Sequence, residues 1–245
     1  TMVDLYEEIE LPLVEVLADM ELEGICVDKN VLEEISLDLE KRIESISQNI
    51  YDLAGETFNI NSSKQLGVIL FDKLELPVIK KTKTGYSTAQ EVLDKLRGKH
   101  DIIDYIEQYR ELSKLKSTYI DGMIPLITDD GKIHTSFKQH ITATGRISSA
   151  NPNLQNIPIR TEDGRKIRKA FVPSDNSTFV DADYSQIELK VLAHLSNDEN
   201  MLEAFKNDED IHTLTASQVF HKAKDEVTRN ERSNAKAVNF GIIYG

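Results

Sequence analysis

The clearest pattern in the chain is a run of apolar residues that recur every three or four positions between Val31 and Leu53. This spacing puts them on one side of an α-helix and predicts a long amphipathic helix that ends at Gly55. The other side is rich in Glu and Lys, which is typical of a solvated face. A helical scaffold protein would explain this pattern as well. The apolar positions are Val31, Ile35, Leu39, Ile43, Ile46, Ile50 and Leu53.

Further helices are predicted around this one, and residues 29–119 are interpreted as a helical subdomain. The evidence is helical spacing of apolar residues, together with Ser or Thr followed three residues later by Gln or Glu, which is typical of a capped helix start. The segments are Leu5–Met20 around Pro12, Ser62–Leu74 with a capping box at Ser62–Gln65, Thr88–Gly98 with a second box at Thr88–Glu91, and Ile102–Tyr119, with a basic polar loop at Lys80–Tyr86.

The pattern changes after Pro125, where short strand candidates and turns replace the long helices. Asp129-Asp130-Gly131 is typical of a hairpin turn, and Thr178–Tyr184 has the composition of a strand. Together with the helices, these segments predict an α+β fold that is mostly helical. The remaining predicted segments are a short strand at Gly24–Asp28, an amide- and proline-rich loop at Asn151–Pro158, and helices at Ile187–Leu195, Ile211–Phe220 and from a capping box at Thr228–Glu231.

The composition is that of an ordinary globular protein, with 40% hydrophobic and 29% charged residues among 245. The length fits one large domain or two small ones. No stretch approaches the ~18 apolar residues of a membrane helix, so we expect no membrane partner. The first residues lack a basic stretch followed by an apolar run, so no secretory signal is predicted. The single cysteine, Cys26, excludes an intrachain disulfide and favours a reducing, cytoplasmic location.

The net charge of −13 argues at first against nucleic-acid binding. The charge is unevenly distributed, however: residues 1–60 carry a net −13, residues 61–130 are neutral, residues 131–170 carry +6, and residues 171–245 carry −6. A polyanion responds to the local field and not to the total charge. The basic segment at 131–170 therefore removes the objection, although it does not by itself indicate a nucleic-acid partner.

The last predicted helix carries two cations followed by two aromatic residues, Arg232, Lys236, Phe240 and Tyr244, at intervals of four. Each step of four turns by about 400°, so the four side chains form one slowly drifting stripe. Such a stripe suits a nucleoside triphosphate, because cations bind phosphate oxygens and an aromatic face packs against a sugar or base. On spacing alone the more common alternative is a half-buried helix whose aromatic residues join the core.

Asp183 is a second candidate, because it stands near the end of a predicted strand and just before a helix. A carboxylate in that position can hold a divalent ion against phosphate oxygens. Asp181 shares its strand face, so a pair of carboxylates is conceivable. The structural alternative is an aspartate that ends the strand or caps the helix.

A third candidate is the loop region Thr142–Ser149 with the amide-rich loop that follows it. Its Arg, Asn, Gln and hydroxyl donors can meet phosphates and minor-groove acceptors without sequence preference. A hydrogen-bonded surface loop would have the same composition, and the basic loop Lys80–Lys83 is more simply a solvated loop. The histidines lack zinc-ligand spacing, and the sequence contains neither a P-loop nor a glycine-rich dinucleotide motif.

Together these stretches resemble the motifs of the family A DNA polymerases, in family order from about Leu5 to Gly245. The matching stretches are Asp183–Leu189 to motif A, Arg232-x3-Lys236-x2-Asn239-Phe240-Gly241-x2-Tyr244-Gly245 to motif B, Thr144-Gly145-Arg146 and Asn153–Pro158 to the segment before motif A, and Tyr109–Tyr119 to the end of the thumb.

The resemblance implies a right-hand fold, a monomer, and primer–template DNA and dNTPs as partners, with two Mg²⁺ ions in the complete enzyme. Residues 1–28 would begin the palm, 29–119 form the thumb, 120–200 continue the palm with motif A, and 201–245 begin the fingers and end in motif B.

The resemblance also implies roles for individual residues. Asp183 would bind the catalytic Mg²⁺. Asp181 matches no functional position of the motif, so we do not expect it to be a ligand. Lys236 would act near the leaving group, Glu188 would exclude a ribose 2′-hydroxyl, and Phe240 would face the sugar. The remaining implied residues are Gln186, His212, Arg232 and Tyr244 for nucleotide binding, and Arg146, Asn153, Gln155, Asn156, Arg160, Asn61, Ser62, Lys114 and Lys116 for DNA binding.

The family's motif C, which supplies the second metal carboxylate, has no match in the sequence. We therefore expect the chain to be a fragment of a polymerase that cannot extend a primer by itself. The alternative is a module that grips primer–template duplex without chemistry, which salt-dependent binding without extension would favour.

Overall fold

The computed structural model describes residues 1–83, 85–159 and 161–244, with side chains as far as residue 241. They form two compact units, Thr1–Phe179 and Val180–Gly245, which are described separately. Both are mainly helical, and the three sheets found among the described residues are two-stranded and antiparallel. The predicted α+β, mostly helical class is confirmed. Within the described residues, no helix has the length and apolarity needed to cross a membrane.

The first unit contains seven α-helices among its described residues, several of them extended by π- or 3₁₀-turns. The helices are α1 (Met2–Leu5), α2 (Leu11–Glu23), α3 (Lys29–Ala54), α4 (Ser63–Gly67), α5 (Gln90–Leu96), α6 (Ile102–Lys116) and α7 (Glu162–Arg168). The π-turns are Tyr6–Glu10, Val68–Lys73 and Ser117–Asp121, and the 3₁₀-turns are Ile124–Leu126 and Leu154–Asn156.

The long helix α3 confirms the prediction from its apolar spacing. Its first turn is capped by Asp28, whose Oδ1 accepts hydrogen bonds from the backbone N–H groups of Asn30 (3.0 Å) and Val31 (3.3 Å). The helix ends at Gly55, which has φ of 71°, a left-handed conformation that glycine adopts without steric cost. The helix packs along α6.

Two hydrophobic clusters form the core of the first unit, and α3 belongs to both. The outer cluster joins the C-terminal part of α3 to α4, α5 and α6, with Ile50, Leu66 and Leu93 fully buried. The inner cluster joins the N-terminal part of α3 to the end of α6, the first sheet and α7, and it includes Leu32 and Ile133. The apolar face of α3 therefore packs into two hydrophobic clusters instead of one.

The strands of the first unit pair as three short antiparallel ladders. They are β1 (Ile25–Cys26) with β4 (Lys132–Ile133), β2 (Lys81–Thr82) with β3 (Gly85–Tyr86), and β5 (Ser136–Lys138) with β6 (Ser148–Ala150). The predicted turn at Asp129–Gly131 exists, with a Gly131 N–H to Thr128 O bond of 2.9 Å. Its following strand, however, pairs with β1 from the start of the chain. The segment interpreted as a basic loop, Lys80–Tyr86, contains the β2–β3 hairpin.

The second unit contains four helices around a smaller apolar cluster of Leu189, Ala204 and Ile211. The helices are α8 (Ile187–Ser196), α9 (Glu199–Lys206), α10 (Ile211–Phe220) and α11 (Arg229–Tyr244). Three of them were predicted. Helix α9, which is only eight residues long, was not predicted from the sequence, and neither was α7 in the first unit.

Two capping predictions were wrong in detail. Ser62 does cap α4, and its Oγ accepts from the Gln65 N–H at 3.4 Å, but Gln65 Oε1 accepts from the Asn59 N–H (2.8 Å) instead of closing the box. Thr88 caps no helix, because its carbonyl and hydroxyl oxygens accept from the Arg110 guanidinium at 2.5 and 3.2 Å. Gln65 is therefore taken by a backbone group six residues earlier, and Thr88 by a side chain 22 residues later.

The predicted strand at Thr178–Tyr184 was also wrong, since the structure assigns no regular secondary structure to these residues. Phe179 is 56%, Val180 87% and Tyr184 80% exposed. A strand is stabilised by backbone hydrogen bonds to a neighbouring strand, and none of the described ladders includes this segment. Strand-forming side chains alone are therefore not sufficient here.

Candidate functional site

The candidate stripe of the second unit lies on α11, whose first turn is firmly capped. The Thr228 N–H donates to Glu231 Oε2 (2.9 Å), and the Glu231 N–H donates to Thr228 Oγ1 (3.3 Å), which confirms the predicted capping box. Hydrogen bonds from Lys222 and from Thr228 lower the pKa of Glu231 to about 2. The cap therefore holds a full negative charge at the positive end of the helix dipole.

Arg232 is attached to the start of α10 through Asp210. The Arg232 Nε–H donates to Asp210 Oδ2, while the two Asp210 oxygens also accept from the His212 N–H (3.0 Å) and the Thr213 hydroxyl (3.0 Å). Burial alone would raise the pKa of Asp210, but the hydrogen bonds from Arg232 and its other donors outweigh burial and lower it. Asp210 is thus an anion that fixes the guanidinium beside α10.

His212 is buried where α10 packs on α11, with 3% of its surface exposed. Its Nδ1 lies 3.0 Å from Asn239 Nδ2, and its ring centroid lies 5.9 Å from that of Phe240. Burial lowers the pKa of His212, and the nearby cations Arg232 and Lys236 lower it further, against an opposing effect of Asp210. The imidazole is therefore neutral at neutral pH.

Lys236 is exposed on the same side of α11, with its Nζ 5.8 Å from the Phe240 ring centroid. Phe240 is half-buried, and Ala235, one position before Lys236, is buried. Helix α11 is therefore half-buried, as expected if it simply packs on the core. The same helix nevertheless presents the exposed Lys236 beside a partly exposed aromatic ring. The predicted role of Tyr244 concerns a side chain outside the described residues.

The motif A candidates stand around the start of α8. Asp183 is exposed in the irregular segment before the helix, and so is Asp181. Gln186 precedes the helix with φ of 53°, and its Oε1 is buried without a hydrogen-bond partner within the described part of the chain. Glu188 is exposed in the first turn of α8, near the positive end of the helix dipole.

Asp183 fits one ligand position of a Mg²⁺ site but not a complete site. Among residues 1–83, 85–159 and 161–244, no group of three His, Cys, Asp or Glu side chains is arranged to hold a metal ion. Magnesium at phosphate sites is commonly held by one or two carboxylates, with the remaining positions taken by phosphate oxygens and water. A hard, exposed carboxylate such as Asp183 is suited to that arrangement.

The amide-rich loop of the first unit is organised by two buried hydroxyl groups. Thr135 Oγ1 lies 3.0 Å from Ser149 Oγ and donates to the Pro152 carbonyl at 2.7 Å. Ser149 in turn accepts from the Leu154 N–H (3.0 Å), and its own N–H donates to Gln155 Oε1 (3.1 Å). The Thr135–Ser149 pair therefore fixes the loop in which the predicted DNA-binding amides occur.

Several predicted DNA-binding residues of the first unit are exposed, namely Arg146, Asn153, Gln155, Asn156 and Lys114. Lys114 and Asn156 line one cleft, together with Tyr119, whose hydroxyl donates to the Asn156 carbonyl at 2.6 Å. Arg160 lies outside the described residues.

The other predicted thumb residues already have partners in the protein. Asn61 Nδ2 donates to the Tyr109 hydroxyl at 3.0 Å, Ser62 Oγ serves as a helix cap, and Lys116 Nζ lies 2.8 Å from Asp121 Oδ2. Any ligand must share or replace these bonds.

Four residues of these sites were given no individual role from the sequence, although one lies in the motif B match and one in the candidate loop Thr142–Ser149: Asp210, Asn239, Thr135 and Ser149. An aspartate before the predicted helix Ile211–Phe220 is a usable signal for a helix cap, and it stood next to the His212 candidate. The other three contribute through contacts between residues 14 to 27 positions apart. Local patterns carry no information on such contacts.

Comparison with known proteins identifies the family. Residues 29–245 match the family model described as DNA polymerase family A. DNA polymerase I of Lactococcus lactis subsp. lactis is 60% identical over 243 residues, and that of Bacillus subtilis is 59% identical over 244 residues. These alignments cover 98% and 99% of this chain.

A solved structure gives the same result at the level of the fold. The POL domain of Pol1 from M. smegmatis, in complex with DNA primer-template and dNTP, matches with a TM-score of 0.89 and 43% identity. The match covers 99% of this chain and 43% of that one. The chain spans 28% of the length of the two DNA polymerase I relatives. It belongs to DNA polymerase family A.

Proposed function

We propose that the chain is part of a DNA-directed DNA polymerase that adds dNTPs to a primer 3′ end in DNA replication and repair. The observation that carries this proposal is the arrangement on α10 and α11, where Asp210 holds Arg232, Asn239 contacts His212, and Lys236 stands beside Phe240. We assign the two cations, the neutral histidine and the aromatic ring to a single ligand. A nucleoside triphosphate has the matching polyanionic and planar ends.

Within this proposal each group has a defined task. The Arg232 guanidinium forks onto phosphate oxygens, Lys236 offsets charge near the leaving group, and His212 adds a hydrogen bond. Phe240 packs against the sugar, Glu188 excludes a ribose 2′-hydroxyl, and Gln186 is assigned to nucleotide binding. Tyr244 is assigned to the templating position. These side chains position the reactants, which is the main requirement of phosphoryl transfer.

Asp183 is the residue that we propose to hold Mg²⁺. A bound Mg²⁺ would polarise phosphoryl oxygens and orient the 3′-hydroxyl and the leaving group. Asp183 contributes a hard anionic ligand that is already exposed to solvent and needs no rearrangement to be reached.

We assign the primer–template to the first unit and divide the chain as the family resemblance implies: palm at 1–28, thumb at 29–119, palm at 120–200 and fingers at 201–245. The exposed Arg146, Gln155 and Asn156 are suited to minor-groove and phosphate acceptors, which do not depend on base sequence. Asn153, Lys114, Lys116, Asn61, Ser62 and Arg160 complete the proposed duplex contacts.

Binding of Mg·dATP to the purified chain tests the nucleotide site. We expect Arg232→Ala and Lys236→Ala each to weaken binding by roughly tenfold, the size of one charge-assisted hydrogen bond of about 1.5 kcal/mol. Arg229→Ala is the matched control, because Arg229 is exposed on the same helix three residues before Arg232. Equal losses in all three variants would indicate a general charge effect and would contradict the assignment.

We further propose that the chain does not extend a primer by itself. Two-metal phosphoryl transfer needs at least two converging carboxylates, and Asp183 is the one carboxylate that the proposal assigns to the metal. A primer-extension assay with the purified chain, template, dNTPs and Mg²⁺ should give no product. Extension that depends on Mg²⁺ and disappears in Asp183→Asn would refute the proposal.

A duplex-gripping module without chemistry is the second candidate. The net charge of +6 over residues 131–170 and the exposed amides of the first unit favour it. The two candidates differ in the second unit, because a pure duplex module has no need for the nucleotide arrangement on α10 and α11.

A further inference from the structure

A chain of three polar side chains runs across the packing of α10 on α11. The Thr215 hydroxyl donates to Asn239 Oδ1 at 3.1 Å, and Asn239 Nδ2 lies 3.0 Å from His212 Nδ1. His212 is buried, and Thr215 and Asn239 are partly buried. The proposed binding residues include His212 but neither of the other two.

The chemistry of this chain restricts where the ring proton of His212 can be. A neutral imidazole carries one N–H, and its other nitrogen is an acceptor. The amide nitrogen of Asn239 can only donate, so the Nδ1 that faces it must be the acceptor and the proton must be on Nε2. In this orientation of the amide, Oδ1 accepts the hydroxyl proton of Thr215.

The surroundings of His212 keep the ring neutral, so the choice of nitrogen matters. Burial lowers its pKa, and Arg232 and Lys236 on α11 lower it further, while Asp210 at the start of α10 acts in the opposite direction. A neutral histidine presents either a donor or a lone pair at Nε2. A lone pair facing phosphate oxygens would be repelled, whereas an N–H would bind them.

We propose that Asn239 is a positioning residue that assigns the single ring proton of His212 to Nε2, so that His212 offers this N–H to a polyphosphate oxygen. This inference rests on the proposed function of the second unit as a triphosphate site. Asn239 itself contacts no ligand in this arrangement. It acts through His212, and Thr215 acts through Asn239.

The assignment can be measured without any ligand by recording the ¹⁵N–¹H spectra of the histidine rings in the 245-residue chain at neutral pH. We expect His212 to carry its proton on Nε2. Asn239→Leu should allow both tautomers, and Asn239→Asp, which presents only acceptor oxygens, should put a proton on Nδ1. The other five histidines serve as internal controls. A proton on Nδ1 in the unmodified chain, or an unchanged ring in Asn239→Leu, would overturn the inference.

A double-mutant cycle tests the consequence for binding, with inorganic tripolyphosphate and Mg·dATP as probes. Asn239→Leu should weaken binding roughly three- to tenfold, the effect of one hydrogen bond, and should cause no further loss in a His212→Ala background. Asn234→Leu is the matched control, because it makes the same change at an exposed position of α11. Losses that add fully in the double variant would overturn the positioning role.

The ring spectra and the binding cycle together distinguish a failure of this inference from a failure of the proposed nucleotide-binding function. If the unmodified chain binds neither probe, the proposed function fails and the polyphosphate part of the inference fails with it. The ring spectra would still support or overturn the proton assignment. If the probes bind and the cycle is non-additive, both the function and the positioning role are supported.

Discussion

The ion pair between Arg42 and Asp163 ties α3 to α7 with two parallel hydrogen bonds. The guanidinium nitrogens lie 2.8 and 2.9 Å from the two carboxylate oxygens, and the Asp163 side chain is only 14% exposed. The hydrogen bonds from Arg42 lower the pKa of Asp163. Because its pKa is depressed in the folded state, the pair stabilises the fold above the ordinary aspartate pKa. That stability is lost as pH falls through the folded pKa.

We expect Asp163→Asn to reduce the free energy of unfolding by about 1 kcal/mol at pH 7, a modest value because the Arg42 side chain is 41% exposed. Urea unfolding at pH 7 and at about pH 3 measures this free energy. Its difference between Asp163→Asn and the unmodified chain should shrink at the lower pH. Asp38→Asn is the control, since Asp38 meets the same guanidinium at 3.3 Å but is 59% exposed. A loss that does not depend on pH would contradict this account.

Glu188 provides a test of the proposed sugar pocket. Placed in a polymerase that contains the full set of metal ligands, Glu188→Ala should raise the use of ribonucleotides relative to deoxyribonucleotides, because the side chain that excludes the 2′-hydroxyl is gone. The ratio of kcat/KM for the two substrates is the measurement. Glu203→Ala, on α9, is a control that should leave this ratio unchanged. An unchanged ratio in Glu188→Ala would count against the sugar-facing role.

At the residue scale, the sequence was sufficient to predict the charged and aromatic residues of the candidate nucleotide site. It was not sufficient to predict the residues that hydrogen-bond to them. Arg232, Lys236 and Phe240 share a helix face because of their spacing, and helical geometry acts locally. The partners Asp210 and Asn239 meet Arg232 and His212 only after α10 has packed on α11. Tertiary contacts of this kind leave no periodic signal in a sequence.

At the scale of elements, the start of α11 determines how the nucleotide candidates are presented. Thr228→Ala removes the hydroxyl that accepts from the Glu231 N–H and should lower the unfolding free energy of the second unit by about 1 kcal/mol. Amide hydrogen exchange in the first turn of α11 is the measurement, and faster exchange is the expected result.

Thr228→Ser is the matched control for the cap, because it keeps the hydroxyl and should exchange like the unmodified chain. Equal exchange in the Ala and Ser variants would mean that the cap does not stabilise the helix. Because the pKa of Glu231 is lowered to about 2, the stability that its carboxylate contributes to the cap is fully present above the ordinary glutamate pKa. It is lost as pH falls toward 2.

The elements differ in how far local sequence determines them. Helix α3 was predicted along almost its whole length, since its periodicity and both of its caps are local. Strand β1 needed β4, more than 100 residues away, and the strand-like segment 178–184 has no ladder partner among the described residues. Helix hydrogen bonds close within four residues, whereas a strand depends on wherever its partner occurs.

For the whole molecule, the distribution of charge predicts how duplex binding should respond to salt. A net charge of −13 would repel DNA if it were spread evenly, but the acidity is concentrated in residues 1–60. We expect primer–template binding whose affinity falls linearly with salt on logarithmic axes, with a slope of about −0.9 per phosphate contacted. Fluorescence anisotropy of a labelled duplex at several salt concentrations measures it.

Single variants separate contact residues from background charge in the same experiment. Arg146→Ala and Lys114→Ala should each lower the magnitude of the slope by about 1, because each removes one cation from the proposed duplex surface. Lys41→Ala should leave the slope unchanged, since Lys41 is exposed within the acidic segment. A slope that is insensitive to all three would exclude the proposed surface.

Helix α3 has a mechanical consequence that follows from its membership of both hydrophobic clusters. Its 26 residues make a rod about 39 Å long that is unbroken by proline or glycine. The two clusters are therefore mechanically coupled, because the helix that belongs to both of them resists bending. Rotation of one cluster against the other would have to bend α3 between Leu39 and Ile50, where the continuous helical hydrogen bonds oppose it.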